Sequence, residues 1–288
     1  MDTRHYRTVA ETVSGTPAVD GAGVKLVRVL GPKTTERFDP FLMLDAFDSE
    51  NPADYTKGFP WHPHRGIETV TFLIRGRIDH GDSLGNSGTI GSGDCQWMTA
   101  GSGIIHQEMP KAASRMLGLQ LWINMPAAHK MDDPAYHDIT ADMVPEINEN
   151  GATVRIIGGS LNGTDGAFRG TYVDALLLDV ALQPGAGSDI PVDELDTVFV
   201  YSMEGKVSFD PESLEPKTYI EYRKAVRLEN GNLVRLTAST SESARLVLFA
   251  AKPLKEPIAW GGPIVMNTRE ELDTAFMELE RETFIRHR

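Results

Sequence analysis

Short runs of apolar or alternating residues recur along this 288-residue chain, separated by stretches rich in Gly, Pro and polar residues. In residues 116–125, leucines and an isoleucine occupy every second position, a pattern typical of a half-buried β-strand. Further strands are predicted at 24–30, 41–47, 68–78, 94–99, 153–157, 172–182, 197–202, 205–209, 232–236 and 245–250. Many short strands at close spacing predict an all-β fold of the sandwich or barrel type.

The strand pattern is broken in two places. Residues 127–151 contain prolines and several charges, and we interpret them as the connection between two domains, residues 1–135 and residues 145–288. Near the end, Thr268 and Glu271 have the spacing of a capping box, and apolar residues follow at helical intervals. We therefore predict an amphipathic helix over 268–285, packed on the surface of the second domain.

The composition excludes several classes of protein. No segment approaches the roughly 20 apolar residues of a membrane helix, and no apolar stretch near the N-terminus indicates a secretory signal. The single cysteine, Cys95, rules out an internal disulfide framework and fits a reducing compartment. The net charge of −13 argues against direct binding to nucleic acid or to anionic lipid. We expect a cytoplasmic protein, or a nuclear one in a eukaryotic host.

Two pairs of residues in segment 58–110 have the spacing of metal ligands. His62 and His64 form one pair, and His106 and Glu108 form the other, each with one residue between its members. On a β-strand such residues point to the same face. If a small barrel directs both pairs inward, three imidazoles and one carboxylate suit a first-row divalent metal with positions left open for substrate.

Several neighbouring residues are candidates for supporting roles. Glu68 competes with Glu108 as the carboxylate ligand, or it accepts a hydrogen bond from a ligand imidazole. Glu108 is favoured because it shares a strand face with His106. An apolar substrate pocket beside the metal would be lined by aromatic residues and a methionine, namely Phe59, Trp61, Trp97 and Met98, although Trp97 and Met98 fit core packing equally well.

A weak internal repeat relates the two halves of the chain. Residues 68–72 are similar to residues 196–200, and residues 98–101 are similar to residues 236–239. Such a repeat predicts a duplicated β-domain. This alignment places the four candidate ligands on Ile190, Val192, Ala244 and Leu246, which are all apolar. The second domain is therefore predicted to keep the fold without the metal.

The motifs together resemble the pirin family, which are bicupins of the cupin superfamily. The resemblance is carried by the His62-Pro63-His64-Arg65-Gly66 motif and by segments 39–45, 96–101, 106–110, 119–126 and 262–268. It implies two tandem cupin domains, which are jelly-roll-type β-barrels, with a C-terminal helix. The family's ligands correspond to His62, His64, His106 and Glu108, whereas Glu68 corresponds to a glutamate that is not a ligand. The resemblance also implies that the C-terminal barrel is metal-free.

The resemblance implies two alternative functions. The first is a quercetin 2,3-dioxygenase-type activity on a flavonol-like substrate, with Glu108 as ligand and as the catalytic base. The second is a metal- or redox-responsive regulator that binds a protein partner, such as a transcriptional complex or a metabolic enzyme. One divalent metal is expected, with Fe(II) preferred over Mn, Co, Ni, Cu and Zn. We expect a monomer.

Overall fold

The structure, a computed structural model, describes residues 5–211 and 213–286. The regular secondary structure of these residues is mostly β-strand, with two α-helices, α1 (Thr35–Phe38) and α2 (Arg269–Glu280). None of the described helices is long and apolar enough to span a membrane. The strands in chain order are β1 (Thr8–Ser14), β2 (Thr16–Asp20), β3 (Val24–Leu30), β4 (Phe41–Ser49), β5 (Phe59–His64), β6 (Ile67–Arg75), β7 (Ile78–Asp82), β8 (Ser87–Ile90), β9 (Cys95–Thr99), β10 (Ile104–Pro110), β11 (Met116–Asn124), β12 (Ala135–Ile139), β13 (Glu146–Glu149), β14 (Ala152–Gly158), β15 (Ser160–Leu161), β16 (Thr164–Asp165), β17 (Leu176–Leu182), β18 (Gly187–Pro191), β19 (Thr197–Glu204), β20 (Val207–Ser208), β21 (Tyr219–Ile220), β22 (Lys224–Glu229), β23 (Leu233–Ala238), β24 (Ala244–Ala251), β25 (Ala259–Gly261) and β26 (Ile264–Met266).

The chain divides into two compact units with the same sheet architecture. The first unit has a seven-stranded sheet in the order β12-β9-β6-β11-β4-β3-β2 and a four-stranded sheet in the order β5-β10-β7-β8. The second unit has a seven-stranded sheet in the order β1-β22-β19-β24-β17-β14-β13 and a four-stranded sheet in the order β18-β23-β20-β21. The predicted all-β class with two tandem cupin barrels is confirmed.

The units differ from the predicted domains at both ends of the chain. The first unit comprises Thr16–Ala141 and the chain from Leu254 onward, whereas the second comprises the chain up to Gly15 and Asp142–Pro253. The N-terminal strand β1 pairs with β22, which explains why residues before Gly15 belong to the second unit. The predicted connection 127–151 also contains two edge strands, β12 and β13. The C-terminal helix α2 lies in the first unit, not the second.

Strand order corrects one part of the internal repeat. By position in the four-stranded sheets, β18 corresponds to β5 and β23 corresponds to β10. His62 and His106 lie directly opposite each other in the first unit. The corresponding pair in the second unit is therefore Ile190 and Val234. Ala244 lies on β24, the counterpart of β11, so its alignment with His106 was wrong. The conclusion is unchanged, since both replacements are buried and apolar.

The capping box at the start of α2 is confirmed in both of its hydrogen bonds. The backbone N–H of Glu271 donates to Thr268 Oγ1 at 3.2 Å, and the backbone N–H of Thr268 donates to Glu271 Oε2 at 3.1 Å. Helix α2 ends at Glu280, five residues before the predicted end. Its inner face buries Leu272 and Ala275 in a small cluster with Ile264 of β26.

Candidate metal centre

Three imidazoles meet inside the first unit, as the spacing of the histidines predicted. His62 and His64 lie on β5, and His106 lies on the antiparallel neighbour β10, where it is directly opposite His62. The ring centroids are 4.8 Å apart for His62 and His64, 4.4 Å for His62 and His106, and 5.0 Å for His64 and His106. One nitrogen from each ring lies within 4.8 Å of the others, so the cluster has the dimensions to hold one metal ion.

Backbone carbonyls set the orientation of two of the rings. His62 Nδ1 lies 2.8 Å from the carbonyl oxygen of Pro60, and His64 Nδ1 lies 2.9 Å from that of Pro263. A carbonyl oxygen accepts only, so Nδ1 must carry the hydrogen in both rings. Nε2 is then left with its lone pair free. This arrangement of an imidazole fixed by a carbonyl is characteristic of metal-ligating histidines.

The third imidazole is buried without any hydrogen bond among the described residues. Neither Nδ1 nor Nε2 of His106 has a partner, although the residue is 1% exposed. Burial lowers the pKa of His106 well below its usual value, and the neighbouring histidines lower it further. Burial also lowers the pKa of His64, to about 3. Both rings are therefore neutral at physiological pH, which is the form that binds a metal.

Glu108 lies on the same inner surface as the imidazoles. It is two residues after His106 on β10 and is 4% exposed. Its Oε1 is 3.1 Å from Thr71 Oγ1, which in turn is 2.6 Å from Gln120 Oε1. Burial raises the pKa of Glu108, whereas the charge of His62 lowers it. A cation beside these groups would act in the same direction as His62 and favour the carboxylate form.

Glu68 is not part of this cluster. Side chains alternate along β6, and Thr71, which bonds Glu108, points to the inner face. Glu68 therefore points to the opposite face of the sheet, where its Oε1 accepts a hydrogen bond from Thr99 Oγ1 at 2.7 Å. The expectation that Glu68 ligates the metal or accepts from a ligand imidazole disagrees with this geometry, because Glu68 lies three positions before Thr71, and an odd offset on a strand places two side chains on opposite faces.

A cavity of about 750 Å³ opens beside the imidazoles, within the usual range for small-molecule sites. Phe59 and Trp61 line it, as predicted. Trp97 and Met98 are fully buried and do not line it, so core packing is the correct interpretation for these two residues. Met98 packs in a cluster with Ile67 and Trp122.

Much of the cavity wall was missed by sequence reasoning. Arg28, Asp45 and Gln120 supply polar groups, whereas Trp122 and Trp260 supply apolar surface. Trp122 packs edge-on against His64, with ring centroids 5.0 Å apart. These residues are far apart in the sequence, so no local pattern connects them. The one available signal was the presence of Arg28, Asp45 and Gln120 within mostly apolar strands.

Two family models match the chain over most of its length. The model described as Pirin matches residues 23–123, and the model described as Pirin C-terminal cupin domain matches residues 177–285. A pirin-like protein from Caulobacter vibrioides is 44% identical over 96% of this chain and 99% of its own length. The chain belongs to the pirin family.

Other pirins and related structures agree with this assignment. Human pirin is 37% identical over 90% of this chain and 87% of its own length. The crystal structure of quercetin 2,3-dioxygenase from Acinetobacter baumannii superposes with a TM-score of 0.85 at 30% identity, covering 97% of this pirin and 99% of that chain. The family resemblance drawn from the sequence is therefore confirmed.

Proposed function

We propose that this pirin is a metal-dependent dioxygenase that acts on flavonols, with quercetin 2,3-dioxygenase-type activity. The observation that carries the proposal is the cluster of three imidazoles beside a cavity of about 750 Å³, with His62, His64 and the buried carboxylate of Glu108 at the cavity wall. The aromatic walls of the cavity suit a flat aromatic ligand. The similarity to the Acinetobacter baumannii quercetin 2,3-dioxygenase supports the same substrate class.

His62, His64 and His106, with Glu108 as the fourth residue, would hold one divalent metal ion. The fit rests on His106, whose two buried ring nitrogens have no hydrogen-bond partner among the described residues. Leaving such a group unsatisfied costs about 1–3 kcal/mol, and coordination would remove that cost. When bound, the ion supplies Lewis-acid and redox chemistry at the face that opens to the cavity. Three imidazoles and a carboxylate suit Fe(II) and other first-row ions.

The side chains around the cavity bind the substrate and move its proton. Glu108 is the base that takes the proton of the enolic hydroxyl at a carboxylate oxygen. Thr71 holds Oε1 of Glu108 in place. Trp122 and Phe59 orient the ring system and exclude water from the reacting face.

The test is turnover by protein reconstituted without oxygen with Fe(II), Mn, Co, Ni or Cu. On exposure to air, at least one form should consume quercetin and release carbon monoxide. Glu108→Gln should lower kcat roughly 100-fold or more because it removes the base. Glu68→Gln is the matched control, since it changes a buried glutamate on the opposite face of the sheet. Its kcat should stay within the same order of magnitude as that of the wild-type protein. No turnover with any of these metals at saturating quercetin would refute the proposal.

A second candidate function is a metal- or redox-responsive regulator that binds a protein partner. The observation in its favour is Trp61, which lies next to His62 and is 55% exposed. Large exposed aromatic residues are typical of protein interfaces. In this case the state of the metal would change the surface around Trp61, and the partner would recognise that surface.

The regulator is tested by comparing metal-loaded protein with metal-free protein as bait. A partner should be enriched by one form and lost when Trp61 is changed to Ala. Tyr222→Ala is the control, because it removes another exposed aromatic residue, one located in the second unit. If neither form enriches a partner in a Trp61-dependent way, the regulatory function is wrong.

A further inference from the structure

A row of polar side chains crosses the inner face of the seven-stranded sheet in the first unit. The strand register places each member directly opposite the next. We call this set the polar row; its members on β3, β4, β11, β6 and β9 are Arg28, Asp45, Gln120, Thr71 and Gln96. Directly opposite residues share one face of a sheet. Three members line the cavity, and Thr71 bonds Glu108, so the row faces inward.

Most of the side chains that flank the polar row are apolar. Two residues away along the strands lie Met43, Trp122 and Met98 in one direction, and Phe47 and Leu73 in the other. All five are buried. Polar groups in such surroundings are costly unless they form hydrogen bonds. The presence of polar residues on this buried face therefore calls for a reason.

The second unit shows that the fold does not need the polar row. The corresponding inner row runs across β14, β17, β24, β19 and β22, and every member is apolar and fully buried: Ile156, Leu178, Leu248, Val200 and Val226. Thr71 and Val200 each precede a turn glycine by five residues, Gly76 and Gly205, which both have positive φ. The same architecture is thus built without polar residues in the unit that lacks the histidine cluster.

Some hydrogen-bonding groups of the polar row line the cavity and make no hydrogen bond within the part of the protein that the structure describes. Arg28 binds Asp45 through Nε at 2.9 Å and Nη2 at 2.7 Å, and Nη2 also binds Asp20 at 2.7 Å. Among the described residues, Arg28 Nη1 has no hydrogen bond, and the amide of Gln120 bonds only Thr71. The free Nη1 donors of Arg28 and the unbonded end of the Gln120 amide therefore flank the carboxylate of Asp45, which accepts. A hydroxyl group both donates and accepts, and so suits this set.

We propose that Arg28, Asp45 and Gln120 bind hydroxyl groups on the part of the substrate that does not face the imidazoles. The three residues lie on adjacent strands and span roughly 10 Å, enough to hold more than one hydroxyl. The pocket then selects polyhydroxylated aromatic ligands over ligands with an unsubstituted pendant ring. This inference rests on the proposed function, since it takes a flavonol as the occupant of the cavity.

Binding without turnover tests the inference. Zinc-loaded protein is titrated without oxygen with quercetin and with galangin, a flavonol whose pendant ring has no hydroxyl groups. Quenching of tryptophan fluorescence reports binding, because Trp61, Trp122 and Trp260 line the cavity. The wild-type protein should bind quercetin about tenfold more tightly than galangin, as expected for one or two hydrogen bonds to charged or amide groups.

The variants copy the apolar row of the second unit. The triple change Arg28→Ile, Asp45→Leu and Gln120→Leu should weaken quercetin binding to the level of galangin while leaving galangin within about threefold of wild type. Zinc content and circular dichroism check the fold, and Gln120→Leu alone should lose part of the preference if the triple variant does not fold. Gln96→Leu is the matched control, since Gln96 belongs to the row but does not line the cavity.

The outcomes separate this inference from the proposed function. Equal binding of quercetin and galangin by the wild-type protein, or a preference that survives in Gln120→Leu and the triple variant, overturns the inference and leaves the proposed function intact. Absence of binding by both flavonols refutes the flavonol substrate class, and with it this inference. An equal loss of preference in Gln96→Leu also overturns the inference, because the effect would then not come from contact with the ligand.

Discussion

The histidines of the candidate centre were found from spacing, but their orientation was not. Residues i and i+2 on one strand share a face, and this rule paired His62 with His64 and His106 with Glu108, whereas bringing the two pairs together required the assumption of a barrel. The carbonyl of Pro263, which fixes the ring of His64, lies 199 positions away in sequence. No local pattern predicts that contact, because it depends on how β26 and its preceding turn return to β5.

Lys130 is another buried polar residue of the first unit that local patterns did not reveal. It is 1% exposed, and its Nζ donates to Gly66 O at 2.7 Å, Asn124 Oδ1 at 2.6 Å and Val265 O at 3.0 Å. The three acceptors join the turn after β5, the end of β11 and strand β26. Burial lowers the pKa of Lys130 to about 7.

Lys130 should make the stability of the protein depend on pH. Between pH 7 and the usual lysine pKa near 10.4, the unfolded chain binds a proton that the folded chain does not. The free energy of unfolding should therefore rise with pH in this window, by at most about 1.4 kcal/mol per pH unit, relative to Lys130→Met. Urea unfolding of both proteins at several pH values measures the difference. A difference that stays constant from pH 7 to pH 10 would contradict the lowered pKa.

At the scale of elements, periodicity in the sequence predicted where strands occur better than it predicted how neighbouring strands are paired in register. β11 and its neighbours were correctly predicted as strands, but every residue of β11 is buried, so the half-buried strand expected from its alternation was wrong. The polar row was not predictable, because cross-strand neighbours depend on register, and a shift of one residue moves every side chain to the other face. The same reason explains Glu68, whose face became clear only when Thr71 was seen to bond Glu108.

Helix α2 was predicted from its capping box, and the box should contribute measurably to stability. Thr268→Ala removes the side-chain acceptor of the Glu271 N–H and should cost about 1 kcal/mol of unfolding free energy. Thr274→Ala is the control, since Thr274 lies in the same helix and its hydroxyl bonds only the Glu270 carbonyl within that helix. Denaturant unfolding measures both variants. Equal effects of the two substitutions would show that the cap does not stabilise α2.

Helix α2 also contributes a carboxylate that pairs with Arg65, the residue that follows the candidate ligand His64. Arg65 is 1% exposed, and its Nη2 pairs with Glu278 Oε2 at 2.7 Å. Glu278→Ala would leave a buried guanidinium without its carboxylate, and we expect a loss of about 3 kcal/mol in unfolding free energy. Glu280→Ala, which removes an exposed glutamate near the end of the same helix, should change stability by less than about 0.5 kcal/mol. A Glu278 variant as stable as the Glu280 variant would contradict this role.

At the scale of the whole molecule, duplication was visible in the sequence but the boundaries were not. Recurring short strands predicted the all-β class and two related barrels. The assignment of the two chain ends failed because β1 pairs with β22 and the chain from Leu254 onward belongs to the first unit. Both depend on long-range pairing, which local patterns do not contain. Comparison of the two units then separates what the fold requires from what the candidate site requires.

The metal content of the purified protein tests the central claim most directly. Elemental analysis should find one divalent metal ion per chain in the wild-type protein, and His62→Ala should lower that content at least about tenfold. The variant should keep its circular dichroism spectrum, because the core of the barrel does not depend on one ion. His129→Ala, which changes an exposed histidine paired with Asp132, should keep the metal. A wild-type protein that binds no metal, or a His62 variant that retains it fully, would contradict the account.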